Sequence, residues 1–266
     1  MEEVENETER QAQTPSQRIV ADEPQMSEVS TLANIFFEPG RTFDDLRRKP
    51  RFIMAAVIMA LLITFFSFAF YYKIGENGFR SFYSDQVDKS SQSQSLDAEA
   101  KNSMVDTNMT IGTVVRYTMP LLVLFTFALG GMIYWLASKA FGGTGNYLHG
   151  LSTWVYASFP PTIVSMAANF IILAFKSGEE IDIASSTGGL IRANPGFFID
   201  GKSMPVLATL LGALDLILIW GWILSAIGLQ RTQRISSGSA WAITLILGLI
   251  LITFKVVGAL FSGNPN

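Results

Sequence analysis

Five long apolar segments constrain the fold of this chain more than any other feature of its sequence. Each has about 20 residues or more, the length that a helix rising about 1.5 Å per residue needs to cross about 30 Å of hydrocarbon. The segments are residues 52–72, 114–138, 151–175, 205–229 and 239–261. The short alternating segments of membrane β-barrels are not seen in the sequence. We therefore predict an all-α, polytopic membrane protein whose five transmembrane helices lie within residues 52–262.

The composition agrees with a membrane protein and argues against several classes of site. Apolar residues make up 49% of the 266 residues, and charged residues only 15%. The chain has no Cys and a single His, which argues against thiolate chemistry and against histidine-based metal or acid–base sites. A net charge of −3 does not indicate a nucleic-acid partner. No nucleophile, base and orienting group lie together in the sequence, so we predict no enzyme, metal or cofactor.

The Lys and Arg residues near the span ends predict the orientation. Five of them crowd the start of the first span: Arg41, Arg47, Arg48, Lys49 and Arg51. The short connections 139–150 and 230–234 also carry basic residues, whereas the longer loops 73–113 and 176–204 have a slight acidic excess. Because cytoplasmic loops are enriched in Lys and Arg, we predict a cytoplasmic N-terminus and a C-terminus on the other side.

Two segments precede the first span. Residues 1–27 are acidic, Gln-rich and almost without apolar residues, which predicts a disordered cytoplasmic tail. Residues 28–51 carry apolar residues at helical spacing, and Thr42 followed by Asp45 resembles a helix start. We predict an amphipathic helical hairpin in the headgroup layer, Phe side down. Its lipid-headgroup contacts are expected to be Arg41, Arg47, Arg48, Lys49 and Arg51. A solvated linker with ordinary positive-inside charges is the alternative.

Two formal charges lie deep in the last two spans. Asp215 and Lys255 should lie about 21 Å and about 24 Å from the cytoplasmic ends of their spans. A connection of about nine residues should make the two helices antiparallel neighbours. An unpaired charge near the bilayer centre costs at least about 2.5–3.5 kcal/mol, so we predict an intramembrane Asp215–Lys255 ion pair. Three interpretations stay open: a structural clamp, a role in proton or ion movement, or separate solvation of the two groups.

Several other features carry weaker expectations. Pro160 and Pro161 should kink the third span, because a proline inside a helix removes a hydrogen bond. Arg116 should reach the headgroups, and His149 should be solvated or interfacial. The Ser/Gln-rich stretch DKSSQSQSLDAEAKNS, residues 88–103, is typical of a flexible surface segment.

Three stretches make the chain resemble the bacterial form of the Yip-one (Ypt-interacting protein) domain family. They are IFFEPGRTFDDLRRKPRF, WLASKAFGGTGNYLHGLSTWVYASFPPTIVSM and IWGWILSAIGLQRTQRISSGSAWAITL, and the resemblance covers about residues 31–262. It implies a five-helix domain with a cytosolic N-terminus in the bacterial inner membrane. Eukaryotic relatives bind prenylated Rab-type GTPases, but this sequence lacks their Asp-Leu-Tyr-Gly-Pro motif, so GTPase binding is not transferred.

Two functions from different classes fit these observations. The first is a non-enzymatic membrane scaffold or adaptor that organises membrane lipids or a protein partner through its basic hairpin and acidic tail. The second is a small transporter or channel, alone or as a homo-oligomer, that uses Asp215 and Lys255. The transporter requires a hydrated path to Asp215, whereas the scaffold is compatible with a dry ion pair.

Overall fold

The structure is a computed structural model that describes residues 25–90, 93–186, 189–191, 193–199 and 203–262. Within these residues the chain forms α-helices and no β-strand, which confirms the predicted all-α class. The helices are α1 (Glu28–Asn34), α2 (Pro39–Arg48), α3 (Ile53–Lys89), α4 (Ala98–Ala140), α5 (Tyr147–Phe175), α6 (Pro205–Gly212), α7 (Leu216–Gln233) and α8 (Ser237–Ser262). Among the described residues between α5 and α6 there are three short 3-10 helices.

The spans predicted from hydropathy are present, and one of them is broken. Four helices, α3, α4, α5 and α8, are long and apolar enough to cross a membrane. The helices α6 and α7 together make a fifth candidate span, bent by 46° at a break of a few residues. The predicted all-α, polytopic membrane fold is therefore confirmed, with four candidate spans, or five when α6 and α7 are counted as one bent span.

The predicted disordered tail, residues 1–27, lies outside the described residues except for its last three. Those three belong to the folded part. Ser27 caps α1, its hydroxyl accepting a hydrogen bond from the Ser30 N–H at 3.1 Å. Met26 is buried, and the Gln25 N–H donates to a carboxylate oxygen of Asp45. Residues 25–27 are thus joined to α1 and α2 by hydrogen bonds.

The helix α2 packs its apolar side against one end of the helix bundle. Phe43 and Leu46 are fully buried in a cluster that includes Met59 of α3, Val155 of α5 and Leu224 of α7. The sequence predicted that this apolar side faces the headgroup layer. Instead, the ends of three long helices supply an apolar surface that covers it, so protein replaces lipid as its environment.

The start of α2 also differs from the prediction. Pro39 occupies the first turn, where its fixed φ and missing N–H are compatible with a helix. Thr42 lies inside the helix, and its hydroxyl donates to the main-chain oxygen of Glu38 at 3.0 Å. The Thr42–Asp45 pattern is therefore not a helix start.

The helices α4 and α5 cross where glycines remove side chains from the contact. A Cβ atom added to Gly131 would lie 2.5 Å from Cα of Leu151. A Cβ added to Gly150 would lie 2.5 Å from the main-chain oxygen of Gly131. These two backbones are therefore in direct contact, which only glycine permits at these positions.

Two polar helical extensions lie where the sequence predicts a loop after the first span. The helix α3 continues to Lys89 past a break at Gly75, whose φ of 78° is in the left-handed region. The helix α4 begins at Ala98, with the Asp97 carboxylate as its cap. Ion pairs join the two extensions, Arg80 to Asp106 at 2.7 Å and Lys101 to Asp88 at 2.9 Å. The stretch predicted to be flexible, residues 88–103, is helical at its two ends, at 88–89 and 98–103, and its flexibility stays a prediction.

Arg116 lies at the base of this helical hairpin and does not reach outward. Its side chain is 9% exposed, and its guanidinium carbon lies 3.6 Å from the centroid of the Tyr71 ring. The predicted headgroup contact is replaced by a cation–π contact between α4 and α3, because the helices continue beyond the predicted span ends.

Pro160 and Pro161 lie inside α5, which runs through both residues as one helix. The kink predicted there stays a prediction. A break between helices does lie in the fourth span, between Gly212 and Leu216.

Candidate functional site

A buried ion pair fixes the chain that precedes the first span. Arg51 and Asp45 form this pair, and their side chains are only 10% and 3% exposed. The Arg51 guanidinium also donates to the main-chain oxygen of Met26 at 2.6 Å and to the Thr31 hydroxyl at 3.0 Å. Arg51 therefore joins α1, α2 and the preceding residues to the start of α3.

This position corrects one predicted lipid contact. The sequence predicts a headgroup contact for Arg51. In the structure its guanidinium points into the protein and forms an ion pair with Asp45. The desolvated carboxylate of Asp45 requires a cation, and Arg51 is the nearest in the structure. The sequence offered little sign of this pair, because six residues separate its members across a helix end.

Two further contacts tie α2 to the bundle. His149 Nε2 lies 2.9 Å from the main-chain oxygen of Arg47, so the first turn of α5 meets the last turn of α2. Arg231 near the end of α7 forms an ion pair with Asp44 of α2 at 2.9 Å. His149 was predicted to be solvated or interfacial, and the structure gives it a tertiary hydrogen bond instead.

The geometry of His149 follows from its neighbour Asn146. Donation to the Arg47 oxygen requires a proton on Nε2, and Nδ1 lies 3.2 Å from the main-chain nitrogen of Asn146 and 2.8 Å from its side-chain oxygen. The Asn146 side chain in turn accepts from the His149 N–H, which completes a capping box at the start of α5. The main-chain N–H of Asn146 thus helps to orient the ring at the start of α5.

The remaining basic residues of α2 form a surface on this anchored platform. We call Arg41, Arg47, Arg48 and Lys49 the basic surface. Arg41 and Lys49 are exposed, and Arg47 and Arg48 are half-buried. Phe37, in the turn before α2, is 84% exposed beside them. Four cations in α2 and at its C-cap, with an exposed aromatic ring in the turn before the helix, are suited to an anionic, partly apolar contact.

Asp215, the carboxylate within the fourth span, is a helix cap. One of its oxygens accepts from the N–H groups of Ile217 and Leu218 at 2.9 and 3.3 Å, at the start of α7. The other accepts from the Ala193 N–H at 3.1 Å and from the Asn194 side-chain amide at 3.0 Å. Four N–H donors therefore stabilise this carboxylate.

The predicted ion pair between Asp215 and Lys255 is corrected by this arrangement. The ion pairs formed between described residues do not join the two, and Lys255 lies on an exposed part of α8. The sequence predicts similar depths for Asp215 and Lys255, but similar depth does not ensure contact. The break at Ala213 turns Asp215 towards the loop that precedes α6. The transporter alternative, which uses this pair and requires a hydrated path to Asp215, stays a prediction.

A second polar side chain inside the bundle holds the same loop. Asn169 of α5 is 1% exposed, and its side-chain oxygen accepts from the N–H groups of Leu190 and Ile191 at 2.7 and 2.9 Å. Leu216 donates its N–H to the main-chain oxygen of Ala193 at 3.1 Å. The loop is therefore held to two spans, and the exposed N–H groups at the helix break are satisfied internally.

Comparison with known proteins adds to this geometry. A family model described as the Yip1 domain matches residues 33–258. The chain is also similar to the membrane protein YknW of Bacillus subtilis (strain 168), with 27% identity over 240 residues, which covers 90% of this chain and 93% of the relative. No solved structure matches the chain. The matched range reaches from α1 into α8, so it includes both the basic surface and the broken span.

Proposed function

The chain belongs to the Yip1 domain family, and from this premise we propose that it is a membrane scaffold that organises anionic lipid around its basic surface. It is a multi-pass membrane protein, and its family is not a family of enzymes. In the proposed role the protein catalyses no reaction. It holds a charged platform at a fixed position on the end of a five-span bundle.

This proposal rests on how apolar and basic residues are distributed around α2. Phe43 and Leu46 are fully buried in the bundle, whereas the basic surface lies on the outer side of the same helix. A helix anchored by its apolar side cannot sink into the bilayer, so its cations stay at headgroup height. Each such cation near an anionic membrane contributes about 1 kcal/mol of attraction.

The orientation proposed with this function places the basic surface in the cytoplasm of the bacterial inner membrane. The positive-inside bias supports it. Because the chain contains no Cys, single cysteines report the topology without background. A Ser95→Cys variant, in the turn between α3 and α4, should react with an impermeant maleimide in intact bacterial cells. A Lys49→Cys variant should react only after the membrane is permeabilised, and the reverse result would overturn the orientation.

The lipid contact can be measured at Phe37. A Phe37→Cys variant carrying an environment-sensitive fluorophore is reconstituted into nanodiscs of phosphatidylcholine, with or without phosphatidylglycerol. We expect a blue shift with phosphatidylglycerol that salt reverses, because charges at the surface are screened within about 8–10 Å at physiological salt. Replacing Arg47, Arg48 and Lys49 by Gln should remove the shift.

A matched control removes the same number of charges elsewhere. Replacing Arg80, Lys89 and Lys101 by Gln changes the opposite end of the bundle and should leave the shift at Phe37 unchanged. A shift that is insensitive to salt, or that survives loss of the three α2 cations, would refute the lipid contact. If a second protein copurified with the wild type but not with the variant that lacks the three cations, the basic surface would instead be assigned to a protein partner.

A further inference from the structure

A cavity lies on the outer side of α2, between that helix and the end of α7. Its volume is about 240 Å³, and its walls include Gly40, Arg41, Asp44, Arg48 and Arg231. Pockets for drug-sized ligands have volumes of about 300–1,000 Å³, so this cavity suits a smaller group.

Cations dominate the walls of this cavity. Three guanidinium groups face two carboxylates, and one of those carboxylates, Asp45, is already in the buried ion pair with Arg51. Asp44 is paired with Arg231 at 2.9 Å. Arg48 makes no ion pair with any described residue. Arg41 is paired with Glu38 at 3.2 Å. The positive charge that remains after these pairs are formed is therefore that of Arg48.

The first turn of α2 adds main-chain donors to the same walls. Its N-cap residue, Glu38, makes no side-chain hydrogen bond to the helix, so the first N–H groups lack the usual cap. Gly40 has no side chain to cover them, and a Cβ placed there would meet only Nη2 of Arg231, at 3.8 Å. Uncapped N–H groups at the positive end of a helix attract anions.

We propose that this cavity binds a phosphate group, presented either by a phosphomonoester lipid headgroup or by free phosphate. The guanidinium group of Arg48, those of Arg41 and Arg231, and the N–H groups of the first turn of α2 are the kinds of donor that the acceptor oxygens of a phosphate bind. The proposal deepens the scaffold function and rests on it for the placement of the cavity at headgroup height. Binding in this cavity is specific for a phosphomonoester group, whereas the basic surface attracts anionic lipids in general.

The test uses the full chain in phosphatidylcholine nanodiscs. One arm titrates inorganic phosphate and follows the melting temperature, which rises as a ligand saturates the folded state. The other arm compares nanodiscs containing phosphatidic acid, a monoester, with nanodiscs containing phosphatidylglycerol, a diester. A rise with inorganic phosphate identifies a soluble source, and a rise with phosphatidic acid alone identifies a lipid source. Either result supports the site.

Variants separate the cavity from the surface around it. Arg48→Gln and Arg231→Gln should each weaken phosphate binding at least about tenfold, the loss expected for a charge-assisted hydrogen bond. Lys49→Gln removes the same charge from the same helix end, outside the cavity, and should leave binding unchanged. Arg231→Gln could unfold the protein by leaving Asp44 without its partner. In that case the double variant Arg231→Gln with Asp44→Asn is used, because it removes both members of the ion pair.

The outcomes distinguish this proposal from the scaffold function. No saturation in either arm, or equal weakening by Lys49→Gln and Arg48→Gln, would overturn the phosphate site. A fluorophore shift at Phe37 that persists with phosphatidylglycerol in that case would show that only the cavity proposal has failed. Loss of the Phe37 shift with retained phosphate binding would show the reverse.

Discussion

His149 Nε2 lies 2.9 Å from the main-chain oxygen of Arg47 and so joins the first turn of α5 to the last turn of α2, across 102 residues of sequence. The carbonyl groups at the end of a helix lack partners within the helix. Here an imidazole from the bundle supplies one, at the helix whose cations form the basic surface. The orientation of that surface therefore depends on a side chain of a membrane-spanning helix.

Replacing His149 by Ala should loosen α2 from the bundle. The lost hydrogen bond contributes about 0.5–1.5 kcal/mol, which is enough to raise local opening several-fold. We expect faster amide hydrogen exchange in α2, measured by mass spectrometry on the protein in nanodiscs. Asn146→Ala is the matched control, because it removes the cap of α5 but leaves an imidazole able to reach Arg47. Equal exchange of α2 in wild type and His149→Ala would contradict the role assigned to this contact.

Arg51→Met should destabilise the protein strongly, because it leaves the Asp45 carboxylate buried without a cation. Breaking a buried pair from one side costs about 3–5 kcal/mol. The double variant Arg51→Met with Asp45→Leu should recover most of this loss, since no buried charge remains. Melting temperatures in detergent micelles measure both effects.

The same pair distinguishes a structural arginine from a lipid-binding one. Lys49→Gln, one of the exposed cations near Arg51, should leave the melting temperature unchanged. If Arg51→Met were equally harmless, Arg51 would be a surface residue, and the headgroup contact predicted from the sequence would be restored.

Gly131→Ala should disrupt the crossing of α4 and α5. The added methyl carbon would lie 2.5 Å from Cα of Leu151, and backbone cannot move away without separating the two helices. Overpacking of this kind costs about 1–3 kcal/mol, so the melting temperature should fall. Gly212→Ala is the control, because its Cβ meets no described atom within 4 Å and alanine favours helix by about 0.5–1 kcal/mol. A fall of equal size in both variants would argue against the close crossing.

Hydropathy and charge predicted the coarse fold because both act over whole segments. Five apolar stretches of sufficient length predict five spans whatever their neighbours do. Individual contacts depend on side-chain direction, which residue spacing alone does not supply. Asp45 and Arg51 meet only because α2 folds back onto the bundle, and the sequence contains no periodic pattern for that turn. The sequence predicts a loop where the helical hairpin beyond Gly75 lies, because polar composition indicates exposure and not backbone conformation.

Asp215 shows the same limit most clearly. Counting residues along a continuous helix placed it level with Lys255, but the span breaks just before it. The break exposes N–H groups at the start of α7, and the nearest carboxylate accepts from them. Asp215 is therefore stabilised by N–H groups that the break leaves without partners in the helix. The hydrophobic pattern of residues 205–229 did not reveal this break.

A pair of substitutions at Asp215 separates a helix cap from an ion pair. Asn keeps one acceptor oxygen, so it retains either the cap on Ile217 or the tie to Ala193, whereas Ala loses both. Loss of a cap costs about 0.5–2 kcal/mol, and each donor left unsatisfied adds about 1–3 kcal/mol. Melting temperatures should therefore fall in the order wild type, Asp215→Asn, Asp215→Ala. Both substitutions remove the negative charge, so equal falls would mean that charge, and not hydrogen-bond acceptance, is what the fourth span requires.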